Sequence, residues 1–315
     1  MTRPEAASRL RYAVVVVNFA SSTLLERNAA ALVLPAGGRL VIVDCFSDAA
    51  ERERVRRLAI AHGWEAVLLE QNAGFGGGVN AGAARALELE SRVLIALNPD
   101  AKIDGPSLET LIDAVDDDPL LLASPTILDS SGRSWFEGAD LYFDDGAVRG
   151  TRERDRFPGA SRREWATGAC FAISSELWRK LGGFDEEYFL YWEDIDLSHR
   201  ALDLGGRLAQ VDATATHDVG GTQRSVAAGR AKSETYYYYN IRNRMLYALK
   251  HLDGHAAKRW SRSAAKTGMD VLMRGGRRQL LVSLSPWRAY FRALRDGRRI
   301  LRAGRTARAS LDASR

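Results

Sequence analysis

The chain has 315 residues, 46% of them hydrophobic and 27% charged, with a formal net charge of +5. That balance excludes a disordered or fibrous chain and suits one large domain, alone or with an appendage. Two cysteines, Cys45 and Cys170, give neither a disulfide framework nor a metal-type spacing, as expected of reduced thiols in a cytosolic protein.

The first apolar run, Ala13–Val17, stops at Asn18. It is too short for a signal-peptide core or a membrane span and reads as a buried strand. After the polar NFASS, TLLERNAAAL is predicted as a helix capped by Ser22 or Thr23. LVIVD (40–44) is the second strand, DAAERERVRRLAIAHG (48–63) a helix ended by Gly63, and EAVLLE (65–70) the third strand. The glycine-rich NAGFGGGVNAG (72–82) reads as a loop before the helix AARALELE, and RVLIALNPD (92–100) as the fourth strand. This alternation predicts an α/β, mostly parallel, doubly wound sheet. Such sheets bind ligands beyond the carboxyl ends of their strands, where Asn18, Asp44, Asn72, Asn98 and Asp100 all fall.

The pattern then changes. LYFDDGAVRG (141–150) predicts a hairpin around Asp145-Gly146, TRERDRFPGASRRE (151–164) a polar loop, and WATGACFAIS (165–174) a buried strand. SELWRKLGGF (175–184) reads as a short helix stopped by Gly182-Gly183. In FLYWEDIDLSHR (189–200), Glu193, Asp194 and Asp196 sit in apolar company, where a carboxylate's pKa and basicity rise. Asp196 and Arg200, four apart, suit a structural ion pair. GRLAQVDATATH (206–217) is the last strand and ends at His217.

Residues 251–315 carry 16 Lys and Arg against 4 Asp and Glu, a net of +12, which leaves −7 for residues 1–250. Trp287, Tyr290, Phe291 and Leu294 fall at helical spacing among arginines, the pattern of an interfacial amphipathic helix. The alternative is a helix packed on the body with a solvated basic face.

Three motifs stay open on the residues alone. Asp100 either holds a divalent cation beside substrate phosphates or belongs to an Asn-Pro-Asp turn. The glycines of 72–82 either cradle a phosphate or permit close backbone approach, and they lack the Lys-Ser/Thr of a P-loop. His217 is structural unless it meets Asp100 across the crevice.

Taken in order, VVVVNFASS, LVIVDCFSD, NAGFGGGVN, LNPDAKI, TGACFAIS, GGFDEEYFLYWEDIDLSHRALDLGG and His217 resemble a family 2 glycosyltransferase with the GT-A fold. The branch is the rhamnosyltransferase-like one of bacterial cell-surface polysaccharide synthesis, and RNRMLYALKH (242–251) is similar to it as well. The resemblance covers residues 11–250. It implies a GT-A domain over 1–250, with a nucleotide-binding half at about 11–100 and an acceptor half at about 101–250, and a basic tail over 251–315. It implies Asn18 and Asp44 in the nucleotide pocket, and Asn72, Gly74 and Asn80 beside the nucleotide sugar. Asn98 would position the substrate where the first acid of D-x-D stands. Asp100 and His217 would hold Mg²⁺ or Mn²⁺. Asp194 would be the base, with Glu193 its competitor, and Tyr191, Trp192 and Glu193 would face the acceptor. Asn18-Phe19-Ala20 and Asp44-Cys45 depart from the family's usual Asn-Tyr-Asn and Asp-Asn.

The implied activity is inverting, metal-dependent transfer of a sugar, first L-rhamnose from dTDP-rhamnose, to a lipid-linked or polysaccharide acceptor. The implied place is the inner face of the cell membrane, with the tail on anionic lipid and not on nucleic acid. A catalytically inactive nucleotide-sugar-binding or scaffold protein is the alternative.

Overall fold

The computed structural model describes residues 11–217 and 232–313, and side chains as far as residue 304. The outermost residues of the expected domain and tail, and 218–231, lie outside the described residues. The strands are β1 (Tyr12–Asn18), β2 (Gly38–Asp44), β3 (Glu65–Leu68), β4 (Val93–Leu97), β5 (Ala101–Ile103), β6 (Leu121–Asp129), β7 (Ser134–Phe136), β8 (Ala139–Tyr142), β9 (Val148–Gly150), β10 (Arg162–Trp165), β11 (Cys170–Ser174) and β12 (Arg207–His217). The main sheet has the order β3-β2-β1-β4-β11-β6-β12-β5, with β7 on β6.

Strands β1 to β4 pair in parallel, as the alternation predicts. β11 then enters antiparallel between β4 and β6, a long-range pairing with no local sequence signal. All seven residues of β1 are buried. Tyr12, Val14 and Val16 face one core with Val55 and Leu108, while Ala13, Val15 and Val17 face another with Val79 and Ala83. Successive strand residues point to opposite faces, so a continuous valine run suits a sheet covered on both sides.

The helices are α1 (Ser22–Leu24), α2 (Ala49–His62), α3 (Gly74–Glu88), α4 (Gly105–Asp117), α5 (Ser175–Leu181), α6 (Glu193–Asp203), α7 (Glu234–His251), α8 (Gly254–Met273), α9 (Arg277–Val282) and α10 (Ser285–Ala313). The first helix is shorter than expected and continues over Leu25–Ala29 with wider π-type winding. Neither Ser22 nor Thr23 caps it, because the Ser22 hydroxyl and N–H both donate to buried Glu51, at 2.8 and 2.6 Å.

The glycine tract is not a loop. Gly76, Gly77, Gly78 and Gly82 lie inside α3, pressed on the sheet and its neighbours. A Cβ on Gly78 would stand 2.7 Å from Val17 and 2.9 Å from Cys45, and one on Gly82 2.3 Å from Val15. Close approach to the sheet is the physical reason for Gly78 and Gly82, while Gly76 faces Phe184, and this packing overrides glycine's low helix propensity. Part of the expected polar loop is also a strand: β10 pairs with β8, and Arg154 grips buried Asp140 at 2.6 and 2.7 Å.

Helices α7, α8 and α10 share a core that includes Tyr237, Tyr247, Trp260, Tyr290 and Leu294 together with Leu141, Tyr188, Trp192 and Ile195 of the body. The expected interfacial stripe is thus turned inward. Tyr290 and Leu294 are buried, Trp287 is half-buried, and only Phe291 is exposed. Among the described residues no helix is long and apolar enough to cross a membrane.

Candidate active site

The turn after β4 starts the site. The Asn98 N–H donates to the Ala169 carbonyl at 2.9 Å, and the Asn28 side chain holds the Pro99 carbonyl at 2.8 Å. β5 then pairs antiparallel with the end of β12, with His217 opposite Ala101. This register carries His217 Nε2 to 2.9 Å from Asp100 Oδ1 and 3.5 Å from Asn98 Nδ2. The structure therefore brings Asn98, Asp100 and His217 together from places more than a hundred residues apart. Both Asp100 and His217 are buried, and His217 Nδ1 has no hydrogen-bond partner. Among the described residues no group of three or more His, Cys, Asp or Glu could hold a metal. At this turn the chain offers an acid–imidazole pair, Asp100 with His217, which fits a cation that takes its other ligands from phosphate oxygens and water.

Asp194 stands in the first turn of α6. Its Oδ2 accepts from the Gly168 N–H at 3.1 Å, and the next residue, Ala169, is the one that holds Asn98. Two consecutive residues thus tie Asp194 to the Asn98-Pro99-Asp100 turn. A Cβ on Gly168 would stand 3.0 Å from the Phe75 ring and 3.6 Å from the Cβ of Asp194, so the residue packs closely between them. Burial pushes the Asp194 carboxyl up to about 6, against the pull of hydrogen bonds from the Gly168 and Ile195 N–H groups. Glu193 is more deeply buried, one of its oxygens has no hydrogen-bond partner, and burial and then the charge of Asp194 push it well above the usual carboxylate range. Asp196 is the structural ion pair expected, at 2.7 Å from Arg200 and 2.6 Å from His251. Burial raises its pKa, but the hydrogen bonds from His251 and Arg200 outweigh burial and leave it lowered.

Trp192, expected beside the acceptor, is buried. It is 8% exposed, with its ring 5.5 Å from that of Tyr247 and 6.3 Å from that of Trp260, because its left-handed backbone turns it under the C-terminal helices. Tyr191 is half-buried, edge-on to Tyr236 at 5.4 Å.

The residues expected around the nucleotide are largely occupied by protein. Asn18 is buried and donates to Asp44 at 3.1 Å and Glu51 at 3.3 Å, while its carbonyl accepts from Ser21 at 2.9 Å. It buttresses Asp44 rather than lining a pocket. Asp44 keeps one oxygen with no hydrogen bond, 3.5 Å from Arg52, and burial raises its pKa despite Asn18 and Arg52. The Asn72 side chain accepts from the Gly74 N–H at 2.9 Å and fixes the start of α3. Asn80 bolts that helix to the Phe184 backbone at 2.9 and 2.8 Å and to Glu186 at 2.9 Å. Gly74 lets the Phe189 carbonyl approach, since a Cβ there would stand 2.1 Å from it. Trp135 was not foreseen. It is 43% exposed, and its ring lies 4.9 Å from that of His217; a lone tryptophan in the polar SSGRSWFEG was the available signal.

No protein-family profile matches the chain. Among solved structures it is similar to the mannosyltransferase PcManGT from Pyrobaculum calidifontis in complex with GDP-Man and Mn²⁺, with a TM-score of 0.53 and 16% identity over 95% of this chain and 87% of that one. GalNAc-T7 with UDP, GalNAc and Mn²⁺ gives a TM-score of 0.51 and 17% identity over 84% and 57%. The fold is that of the GT-A glycosyltransferases. In sequence, the chain is 28% identical over 188 residues to the low-salt glycan biosynthesis hexosyltransferase Agl10 of Haloferax volcanii, covering 56% of this chain and 57% of the relative. It is 28% identical over 156 residues to the N-acetylglucosaminyl-diphospho-decaprenol L-rhamnosyltransferase of Mycobacterium tuberculosis, covering 41% and 50%. The match thus spans little more than half the length of these relatives, which are named as glycosyltransferases and support the rhamnosyltransferase-like resemblance.

Proposed function

We propose that the protein is an inverting, metal-dependent glycosyltransferase that moves a sugar from a nucleoside diphosphate to an acceptor hydroxyl. The observation that carries this is the contact of Asp100 with His217, tied through Gly168-Ala169 to Asp194. A bound Mg²⁺ or Mn²⁺ would supply Lewis-acid stabilisation of the leaving diphosphate. Asp100 and His217 are the residues that would hold it. Asp194 takes the proton of the attacking hydroxyl. Its raised pKa strengthens it as a base yet leaves it ionised at neutral pH. Glu193, more deeply buried and with its pKa raised by burial and then by the charge of Asp194, is the less accessible of the two acids. One base and direct displacement invert the anomeric carbon, with no carboxylate nucleophile needed. Asp44, whose second oxygen has no hydrogen bond and lies 3.5 Å from Arg52, would contact the base of the nucleotide. The L-rhamnosyltransferase relative, named for a diphospho-decaprenol acceptor, supports L-rhamnose as the sugar and a lipid-linked acceptor; dTDP-rhamnose is the donor that the sequence resemblance implies.

A lipid acceptor calls for a membrane-facing surface. The exposed apolar side chains Leu281, Val282, Leu284 and Phe291 gather where α9 meets α10, tied by the Trp287 indole N–H bond to the Leu280 carbonyl at 3.0 Å. Residues 271–302 hold nine arginines and one acid, Asp296. Apolar tips within a cationic field suit an anionic bilayer surface. Leu281→Asp with Val282→Asp should abolish co-flotation with phosphatidylglycerol vesicles; flotation unchanged by the pair would remove this surface.

Asp194→Asn is the test of the chemistry. It should lower kcat by about 10²–10⁴, the usual worth of a general base, and leave nucleotide-sugar binding by thermal shift intact. A wild-type chain that binds nucleotide sugars yet never turns one over would instead be a binding protein on this fold.

A further inference from the structure

We propose that Asn243, on α7, is a positioning residue for Asp194 and acts through the turn that precedes α6. This rests on reading Asp194 as the base. Phe189, Tyr191 and Trp192 have φ of +63°, +65° and +77°. Side chains of this size rarely occupy that region, and they persist there only where the surroundings over-determine them. Three such residues within four positions, immediately before Glu193, mark the turn as held from outside.

What holds it is visible. Asn243 is fully buried, and its Nδ2 lies 2.8, 2.9 and 2.8 Å from the carbonyl oxygens of Tyr188, Leu190 and Tyr191. An amide has two N–H protons, so one is shared between two acceptors. The Asn243 carbonyl accepts from Arg242 at 2.7 Å, and the same Arg242 nitrogen reaches the Glu187 carbonyl at 2.5 Å. From the opposite side the Phe75 N–H donates to the Phe189 carbonyl at 2.9 Å. Phe189 stacks on Tyr239 at 5.0 Å. The Arg-Asn pair of RNRMLYALKH thus grips the turn from α7, while the start of α3 grips it from the other side.

The grip matters because the start of α6 has no side-chain cap and is otherwise held by the Asp194 bond to Gly168 and the packing of Trp192 on Tyr247 and Trp260. Trp192 occupies the capping position and its side chain makes no capping hydrogen bond. The orientation of the first helical turn, and so of Asp194, is set by the backbone leading into it. Release of the three carbonyls frees Tyr191 and Trp192 to return to negative φ and swings Asp194 off the Gly168 N–H.

Hydrogen exchange and steady-state kinetics on the full chain test this, with Asn243→Ala and the milder Arg242→Ala beside wild type. Arg242 is half-buried, so its variant remains informative where Asn243→Ala does not fold. Amide exchange over 188–195 should accelerate while that of β1 and β4 stays unchanged. kcat should fall by up to about a hundredfold for Asn243→Ala and about tenfold for Arg242→Ala, the scale of an ångström's misplacement, with KM for the nucleotide sugar unmoved. The acidic limb of kcat should move to lower pH as Asp194 gains water, which a merely structural role would not produce. Unchanged exchange over 188–195 in both variants overturns the clamp whether or not any sugar is transferred. Faster exchange with kcat and its pH profile unchanged overturns the link to Asp194. Absence of turnover in the wild type, with exchange responding as expected, would count against the proposed chemistry and not against the clamp.

Discussion

The parallel half of the sheet and the turn before α6 treat polar and strained groups in opposite ways. Around Asn18 the amide, Glu51, Ser21 and Ser22 satisfy one another, with only the second oxygen of Asp44 left without a hydrogen bond, and α3 is fitted to β1 through glycines. Around Glu193 a buried carboxyl oxygen has no hydrogen bond, an adjacent acid has a raised pKa, and three aromatic residues sit at positive φ. The first region spends its polar groups on its own order. The second leaves them available and relies on neighbours for its shape, as expected where chemistry needs groups poised rather than paired.

The largest effect should come from Asp100. Asp100→Ala should cut kcat/KM at least about a hundredfold, because a Lewis acid is worth several kcal/mol in the transition state. It should also abolish any rise in melting temperature that Mn²⁺ adds to nucleotide-sugar binding; a surviving Mn²⁺ effect would place the cation elsewhere. In the closed half, Gly82→Ala should destabilise the fold by about 1–3 kcal/mol through overpacking against Val15 and Val43, read by urea denaturation. A neutral result there would mean that the helix can lift off the sheet.

A subtler contrast lies in pH. Asp194 has its folded pKa raised to about 6, above the ~3.9 of an exposed aspartate. Between those values the folded state binds the extra proton, so stability falls as pH rises from near 4 to near 6 and stays lower above. Asp194→Asn removes that loss. It should therefore melt higher than wild type at pH 7.5, with the difference shrinking towards pH 4, while activity is lost. An asparagine variant no more stable at pH 7.5 would mean that the carboxylate sits there at no cost. The smallest effect should be that of Glu193→Gln. The amide keeps the shape of a carboxyl that is buried and not placed as the base, so kcat should stay within about threefold, far from the 10²–10⁴ of a lost base. A loss as large as that of Asp194→Asn would transfer the base role to Glu193.

Much of this was legible in local sequence. The apolar runs gave the parallel strands, Asp48 and Gly63 bound α2 as a cap and a left-handed stop, and Gly182 ends α5 in the same way. The meeting of His217 with Asp100 was legible only as a condition, because it depends on β12 pairing with β5. The burial of Asn18 and Trp192 was not legible for a common reason: a residue type says what a side chain can bind, and only tertiary packing says which way it points. The glycines of α3 were hidden because helix propensity is local, whereas close packing on Val15 and Val17 is not. The aromatic stripe of α10 has the same periodicity whether it meets lipid or α7, so periodicity could not choose.

Helix α7 has a second neighbour besides the turn. A Cβ on Gly297 of α10 would stand 2.9 Å from Met245, and one on Gly304 2.4 Å from Leu249. Helix α10 is therefore packed closely on α7 as far as Gly304. Cutting the chain near residue 284 would strip the cover from the helix that carries Asn243, and a shortened protein could fail at catalysis although every sugar-handling residue remained in place.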